Sequence, residues 1–209
     1  MRLTKYGHSC VRIERDGAVL VVDPGEFSGR EPLDGADAVL VTHEHPDHVD
    51  VDAVAEACEK NPSLRVYAHP GTASTLDRLG AAVTTVESGD SFQAAGFEVS
   101  AWGGLHAVNH PDIPRVPNLG YLVEGEIYHP GDSFDPPFGA EVGTLFVPIS
   151  APWLKLAEAI EFARAVRPRR AYGLHDGILN DRGLKIVNTH LARLSGTEYA
   201  WLRPGTTIN

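Results

Sequence analysis

The sequence has 209 residues, 43% of them apolar, enough for one sizeable core and too few for two ordinary enzyme domains, so a single domain over 1–209 is expected. Its 18 Lys and Arg against 28 Asp and Glu give a formal net charge of −10 with no basic cluster, which argues against nucleic acid or an anionic membrane as partner. No stretch approaches the roughly 18 uninterrupted apolar residues of a spanning helix, and Met1 to His8 lacks an apolar signal core, so a soluble cytoplasmic protein is expected.

In chain order, short strands come first: Leu3 to Tyr6, Cys10 to Glu14, an Asp16-Gly17 turn, and the apolar Val19 to Val22 ending in Asp23-Pro24. A polar loop from Gly25 to Gly35 leads to a buried-type strand, Ala38 to Thr42. Apolar spacing then turns helical through Val51, Val54 and Cys58. The rhythm repeats with a strand at Val66 to Ala68, a helix after Gly71-Thr72 carrying Leu76 and Leu79, and a strand at Val83 to Val86. Antiparallel strands are predicted at Phe97 to Trp102, Leu119 to Val123 and Ile127-Tyr128, the last two joined by a Glu124-Gly125 turn. Thr144 to Ile149 is a strand, followed by a helix with Leu156, Ile160, Ala163 and Val166 inward, a strand at Ala171 to Leu174, a last helix marked by Leu184, Val187, Leu191 and Leu194, and Tyr199 to Leu202. Apolar strand faces outnumber what one sheet needs. Two sheets packed face to face with helices outside are therefore expected, with a faint internal repeat of strands then helix. Cys10 and Cys58 lie in apolar-periodic segments without a partner and are read as reduced core thiols.

Against a single methionine there are 10 histidines, and their placement is informative. Directly after the strand ending at Thr42 stands His43-Glu44-His45-Pro46-Asp47-His48. His43 and His45, two apart in extended backbone, project to one side as two imidazoles on one metal require. Pro46 suits the first turn of a helix and would carry Asp47 and His48 into that turn. Asp132 follows Gly131 after an apolar strand, and His175 follows the strand ending at Leu174, so both stand where strands deliver side chains to a sheet edge. A further histidine from Leu105-His106-Ala107-Val108-Asn109-His110 is either His106, which comes directly off a strand, or His110, before Pro111.

The Thr-His-x-His-x-Asp-His segment after an apolar strand resembles the signature of the metallo-β-lactamase superfamily. Tyr6-Gly7-His8-Ser9-Cys10, Val22-Asp23-Pro24, Tyr128 to Ser133 and Leu174 to Gly177 are similar to its short bacterial metal-dependent hydrolase branch, related to the L-ascorbate-6-phosphate lactonases. The resemblance runs along nearly the whole chain. It implies an α+β fold, a four-layered αβ/βα sandwich of two mixed sheets with helices on the outer faces and one or two metals at the sheet edge. It also implies that His43, His45 and His106 hold a first metal, that Asp47, His48 and His175 hold a second, and that Asp132 bridges them. His110 would then line the substrate pocket. Asp23 would orient a ligand imidazole or simply end its strand, and His8 would orient a ligand or meet substrate.

Two divalent ions about 3.5 to 4 Å apart can share a water, lower its pKa toward about 7 and polarise a carbonyl or phosphoryl oxygen. Imidazole and carboxylate donors suit zinc or manganese, and the absence of thiolate removes the strongest argument for zinc alone; two divalent ions, zinc first and manganese as the other candidate, are expected. Asp47 is placed to orient the nucleophile or to pass a proton to the leaving group, which with Asp132 makes the catalytic pair. The expected activity is hydrolysis of a small ester, lactone, amide or phosphoester. The alternative is a metal-binding sensor or assembly protein without turnover. A small molecule is the expected partner, and assembly into a homo-oligomer is left open. Rims for the substrate come from Gly25 to Gly35, His110 to Asn118 and Ser133 to Gly143, with Arg115 as a candidate anion contact and Trp102, Phe134, Phe138 and Trp153 as candidate walls.

Overall fold

The computed structural model describes residues 1–209, the side chain of Ala73 excepted. Strands β1 (Arg2–Lys5), β2 (Val11–Arg15), β3 (Ala18–Val22) and β4 (Ala38–Leu40) precede helix α1 (Val51–Lys60), strand β5 (Arg65–Ala68), the short helix α2 (Pro70–Ala73) and strand β6 (Val83–Thr85). Strands β7 (Ser91–Ala94), β8 (Phe97–Leu105), β9 (Pro117–Val123), β10 (Ile127–His129) and β11 (Thr144–Pro148) follow. Helix α3 (Leu156–Val166), strand β12 (Arg170–Leu174), helix α4 (Asp181–Leu194) and strands β13 (Glu198–Ala200) and β14 (Thr206–Ile208) complete the order.

The strands form two seven-stranded sheets, ordered β14-β1-β2-β3-β4-β5-β6 and β13-β12-β11-β10-β9-β8-β7. Each is mixed in the same way. In the first, β14 to β3 pair antiparallel and β3 to β6 parallel. In the second, β7 to β10 pair antiparallel and β10 to β13 parallel. The faint repeat in the sequence thus corresponds to two sheets of matching pairing pattern, a likeness carried by topology and apolar rhythm rather than by residue identity.

Strand alternation sorts the apolar residues into three clusters. The middle one takes Ile13, Leu20 and Leu40 from one sheet and Phe97, Leu119, Tyr121 and Phe146 from the other. A second lies between the first sheet and α1, with Val21, Val39 and Val54. The third lies between the second sheet and α3 and α4, with Val147, Ile160, Phe162 and Leu191. The result is the four-layered αβ/βα sandwich. The strands buried on both faces, such as β4 and β11, are the ones whose sequences read as continuous apolar runs.

Some local expectations need correction. Pro46 does not open a helix: His45 to His48 form a turn, with His48 N and Val49 N both donating to His45 O, and α1 begins only at Val51 behind an Asp50 cap. Asp50 Oδ1 accepts from Ala53 N at 2.9 Å, so the stronger N-cap residue wins over the proline. The helix expected after Gly71-Thr72 is instead one short turn and a 3₁₀ stretch over Asp77–Ala82 broken at Gly80, whose φ of 52° lies outside the right-handed helical range. Cys10 is buried and free, with burial pushing its thiol pKa up, whereas the free Cys58 is only partly buried. No helix among the described residues is long and apolar enough to cross a membrane.

Candidate metal centre

Loops at one edge of the sandwich bring the chemistry together. His43 and His45 follow β4, Asp47 and His48 lie in the turn before α1, His106 follows β8, Asp132 follows β10 and His175 follows β12. The sheets are tied here by Leu119 N donating to Thr42 O at 2.9 Å and by Tyr121 Oη donating to Val41 O at 3.0 Å. Three sets of ligand atoms cluster, those of each set within 4.8 Å of one another: His43, His45 and His106; His8, Asp47, His48 and His175; and His43, His48 and Asp132.

Hydrogen bonds fix which nitrogen of each ring faces inward. Asp23 is buried and accepts from Thr42 N at 2.8 Å, Thr42 Oγ1 at 2.7 Å and His48 Nδ1 at 2.6 Å. With its proton given to Asp23, Thr42 Oγ1 accepts from His43 Nδ1 at 3.0 Å. His106 Nδ1 donates to Ala107 O, and His175 Nδ1 donates to Ser150 O. In all four rings Nδ1 is committed, so Nε2 is the nitrogen turned toward the cluster. His43 Nε2 stands 3.0 Å from His45 Nδ1, and the Asp132 carboxylate sits between the others: Oδ1 is 3.1 Å from His48 Nε2, and Oδ2 is 3.3 Å from His106 Nε2 and 3.1 Å from His175 Nε2.

Asp132 Oδ1 and His175 Nε2 are buried and meet no group in hydrogen-bonding geometry, although His48 Nε2 and Asp132 Oδ2 respectively stand 3.1 Å away. Buried polar atoms left in this way are costly unless something else satisfies them. Converging imidazole lone pairs, a carboxylate and orphaned buried atoms form a donor set that fits divalent metal ions.

His8 belongs to this crowd in a different way. Gly177 N donates to its Nδ1 at 3.0 Å, so the ring proton is on Nε2, which donates to Asp47 Oδ2 at 3.1 Å. In that tautomer His8 steers Asp47 rather than offering a lone pair. Burial lowers the pKa of His8, and of His43 well below its ordinary value, keeping both rings neutral. The Asp47 carboxyl, despite the burial that opposes it, is brought down to about 2 by the His8 hydrogen bond and by the His48 and His175 rings beside it. At 28% side-chain exposure it is the acid of this cluster most open to solvent. His48 is held well above its ordinary value by Asp132 and Asp23, against its own burial.

Backbone strain is also present at this place. His8, Asp23 and His175 all have φ between 49° and 58°, a region that side chains with a Cβ rarely adopt. Gly131 has φ of 62°, and a Cβ there would lie 2.2 Å from Asn118 Oδ1. A glycine is required because the chain must turn tightly against Asn118 to present Asp132. Gly25 answers a different need, since a Cβ would lie 2.0 Å from Asp47 O where the loop 24–28 packs against the metal-motif turn.

Between His106 and His110 the structure brings only the first into the cluster. His110 is exposed on the rim, where its Nδ1 accepts from Asp112 N at 3.2 Å. Three groups position the site in ways the sequence did not suggest, Trp153 having been expected only as a pocket wall. Trp153 Nε1 donates to Asp132 Oδ2 at 2.9 Å, and Asn118 Oδ1 accepts from Asp132 N at 2.9 Å. His129 Nδ1 accepts from Gly131 N at 3.2 Å while its Nε2 donates to Ser9 O at 2.8 Å. Beside Trp153 a cavity of about 560 Å³ opens, lined among others by Phe134, Ser133, Leu105, Arg115 and Lys155. Arg115 donates through Nε to His106 O and through Nη2 to Leu105 O, bracing the strand end that carries His106. Phe138 is 80% exposed and walls nothing in this cavity.

A two-sheet sandwich with this donor cluster at its edge defines a protein of the metallo-β-lactamase fold. The model of the Beta-lactamase superfamily domain matches residues 2–175, and the chain belongs to that superfamily. It is 40% identical over 205 residues to Protein Rv0786c of Mycobacterium tuberculosis, covering 95% of each chain. It is 32% identical over 148 residues to a UPF0173 metal-dependent hydrolase of Methanopyrus kandleri, covering 64% of this chain and 62% of that one. Among solved structures it is similar to Igni18, described as a metallo hydrolase, from Ignicoccus hospitalis, with a TM-score of 0.77 at 19% identity over 99% of this chain and 97% of that one.

Proposed function

We propose that the chain is a metal-dependent hydrolase working through two divalent ions on a small ester, lactone, amide or phosphoester. His43, His45 and His106 would hold one ion, Asp47, His48 and His175 the other, with Asp132 between them. Zinc is the first expectation, and manganese stays with it because imidazole and carboxylate donors suit both and no thiolate selects zinc alone. The observation that carries this reading is the pair of orphaned buried atoms, Asp132 Oδ1 and His175 Nε2, among imidazole nitrogens whose other ring positions are already committed. Relatives named metal-dependent hydrolase support the reaction class.

Bound divalent ions supply Lewis-acid polarisation of the scissile group and a water acidic enough to ionise near neutral pH. The chain supplies the rest. Asp47, ionised near neutrality, accepts the proton of the attacking water or delivers it to the leaving group, and His8 holds its Oδ2 in one orientation while the other oxygen stays free for that task. Trp153 and Asn118 hold Asp132. Substrate enters from the cavity bounded by Trp153, Ser133 and Phe134, which keeps part of it out of bulk water.

Metal analysis joined to a hydrolysis screen over ester, lactone, amide and phosphoester substrates tests the proposal, with Asp132→Ala and His48→Ala as controls. Each variant is expected to lose an ion or its activity. Full retention of both would overturn the site. If metal-loaded protein hydrolyses nothing in the screen and Asp47→Ala changes only metal content, the chain is a metal-binding sensor or assembly protein instead.

A further inference from the structure

Lys5, at the end of β1, is fully buried. Its Nζ donates to Asp176 Oδ1 at 2.9 Å and Oδ2 at 3.0 Å, and to Tyr6 O at 3.0 Å. Trp201 Nε1 donates to Asp176 Oδ2 at 2.6 Å, and Gly205 N donates to Lys5 O at 2.8 Å. The ion pair joins the end of a first-sheet strand to the end of a second-sheet strand. Buried pairs of this kind add little over apolar residues of the same shape, so stability alone does not account for it.

What the pair holds is specific. Asp176 lies between His175, whose Nε2 faces Asp132, and Gly177, whose N–H sets the tautomer of His8. His175 N also donates to His8 O at 3.1 Å, and the two rings stand 3.8 Å apart between centroids. The short turn 175–177 therefore places one proposed ligand and the partner of another, Asp47. Lys5 and Trp201 hold that turn through the Asp176 carboxylate. None of the hydrogen bonds of Lys5, Asp176 and Trp201 involves His43, His45 or His106.

We infer that Lys5, Asp176 and Trp201 form a clamp that sets the affinity of one half of the metal centre, the half built on Asp47, His48 and His175, and leaves the three-histidine half alone. This rests on the two-ion reading above. The three are positioning residues, acting through the backbone of His175 and Gly177. An apolar replacement of both charges would keep the packing and lose the positioning.

The test is calorimetric titration of metal-free protein with zinc, followed in parallel by the absorption of cobalt-substituted protein and by thermal melting. Wild type is expected to take two ions. Asp176→Asn and Lys5→Met should each keep the first ion at unchanged affinity and bind the second about 10- to 100-fold more weakly, with a lower Tm because one charge is left buried and alone. The double variant Lys5→Met/Asp176→Leu should recover Tm while its second ion stays weak. Recovery of the second ion together with Tm, or equal weakening of both ions, would overturn the clamp. A wild-type protein that takes a single ion would overturn the two-ion reading, and this inference with it.

Discussion

Thr42 shows how much of the site depends on one hydroxyl. It gives its proton to Asp23 and receives one from His43, so a single oxygen decides which His43 nitrogen faces inward. Thr42→Val keeps the shape and removes the relay, and metal affinity is expected to fall about 10- to 100-fold, as read by chelator competition. Proton linkage gives a second prediction. Burial lowers the pKa values of His8, His43, His45 and His129. Below their ordinary value of 6.5 the unfolded chain takes up protons that the folded metal-free protein refuses, so stability falls as pH drops. His48 has the opposite sign: its contribution is complete below that value and is lost as pH rises through its raised folded pKa. The Asp47 contribution is present above its ordinary 3.8 and is lost only as pH falls through about 2. With four rings against one, the Tm of metal-free protein should fall between about pH 7 and pH 5, and a rise would contradict the assignment. The inward-facing residues themselves were readable from sequence because His43 to His48 are contiguous and Asp132 and His175 end strands. The positioning roles of Trp153, Asn118, Lys5 and Trp201 were not, since each depends on a contact that only the assembled strands and loops create. His129 carried one usable signal, standing just ahead of the Gly131-Asp132 turn that it braces.

At the scale of elements, turns rather than strands set the precision of the centre. Asp50 caps α1 and its N–H donates to Pro24 O, so the same residue starts a helix and ties the loop after β3 to the metal-motif turn. Asp50→Ala should cost about 1 kcal/mol in an equilibrium unfolding measurement, the usual worth of such a cap. Gly131→Ala should be more severe at the site than in the fold. It forces a Cβ onto Asn118 and strains a left-handed turn, costing about 1 to 3 kcal/mol, and it should displace Asp132, so metal content is expected to drop where Asp50→Ala leaves it intact. The strands with continuous or alternating apolar residues were legible, as was α3, which ends at Val166 two residues before Pro168. β7 and β14 were not. Ser91–Ala94 is a four-residue edge strand paired only with β8, and Thr206–Ile208 is a three-residue edge strand paired only with β1, so neither has the length or the two-sided burial that makes an apolar pattern.

At the scale of the whole molecule, metal and fold are thermodynamically coupled. A ligand that binds only the folded state stabilises it by about 2.7 kcal/mol at a free concentration 100 times its dissociation constant. Chelation should therefore lower Tm and readdition of zinc should restore it, a shift that vanishes in Asp132→Ala if the centre is as proposed. The division of the chain between the sheets sharpens this. His8, Asp23 and the His43 to His48 turn come from the N-terminal segment that builds all of the first sheet but β14, whereas His106, Asp132 and His175 come from the segment that builds the second. Neither half holds the full donor set. The centre is thus a proximity gauge: in a refolding experiment, strand pairing within each sheet can be complete while the ligands still lie apart, and only the docking of one sheet on the other closes the gap. Tight metal uptake should coincide with the last, slowest change in aromatic fluorescence rather than with the gain of far-ultraviolet ellipticity. Under gentle denaturation, release of metal should be the first sign that the two layers have begun to part.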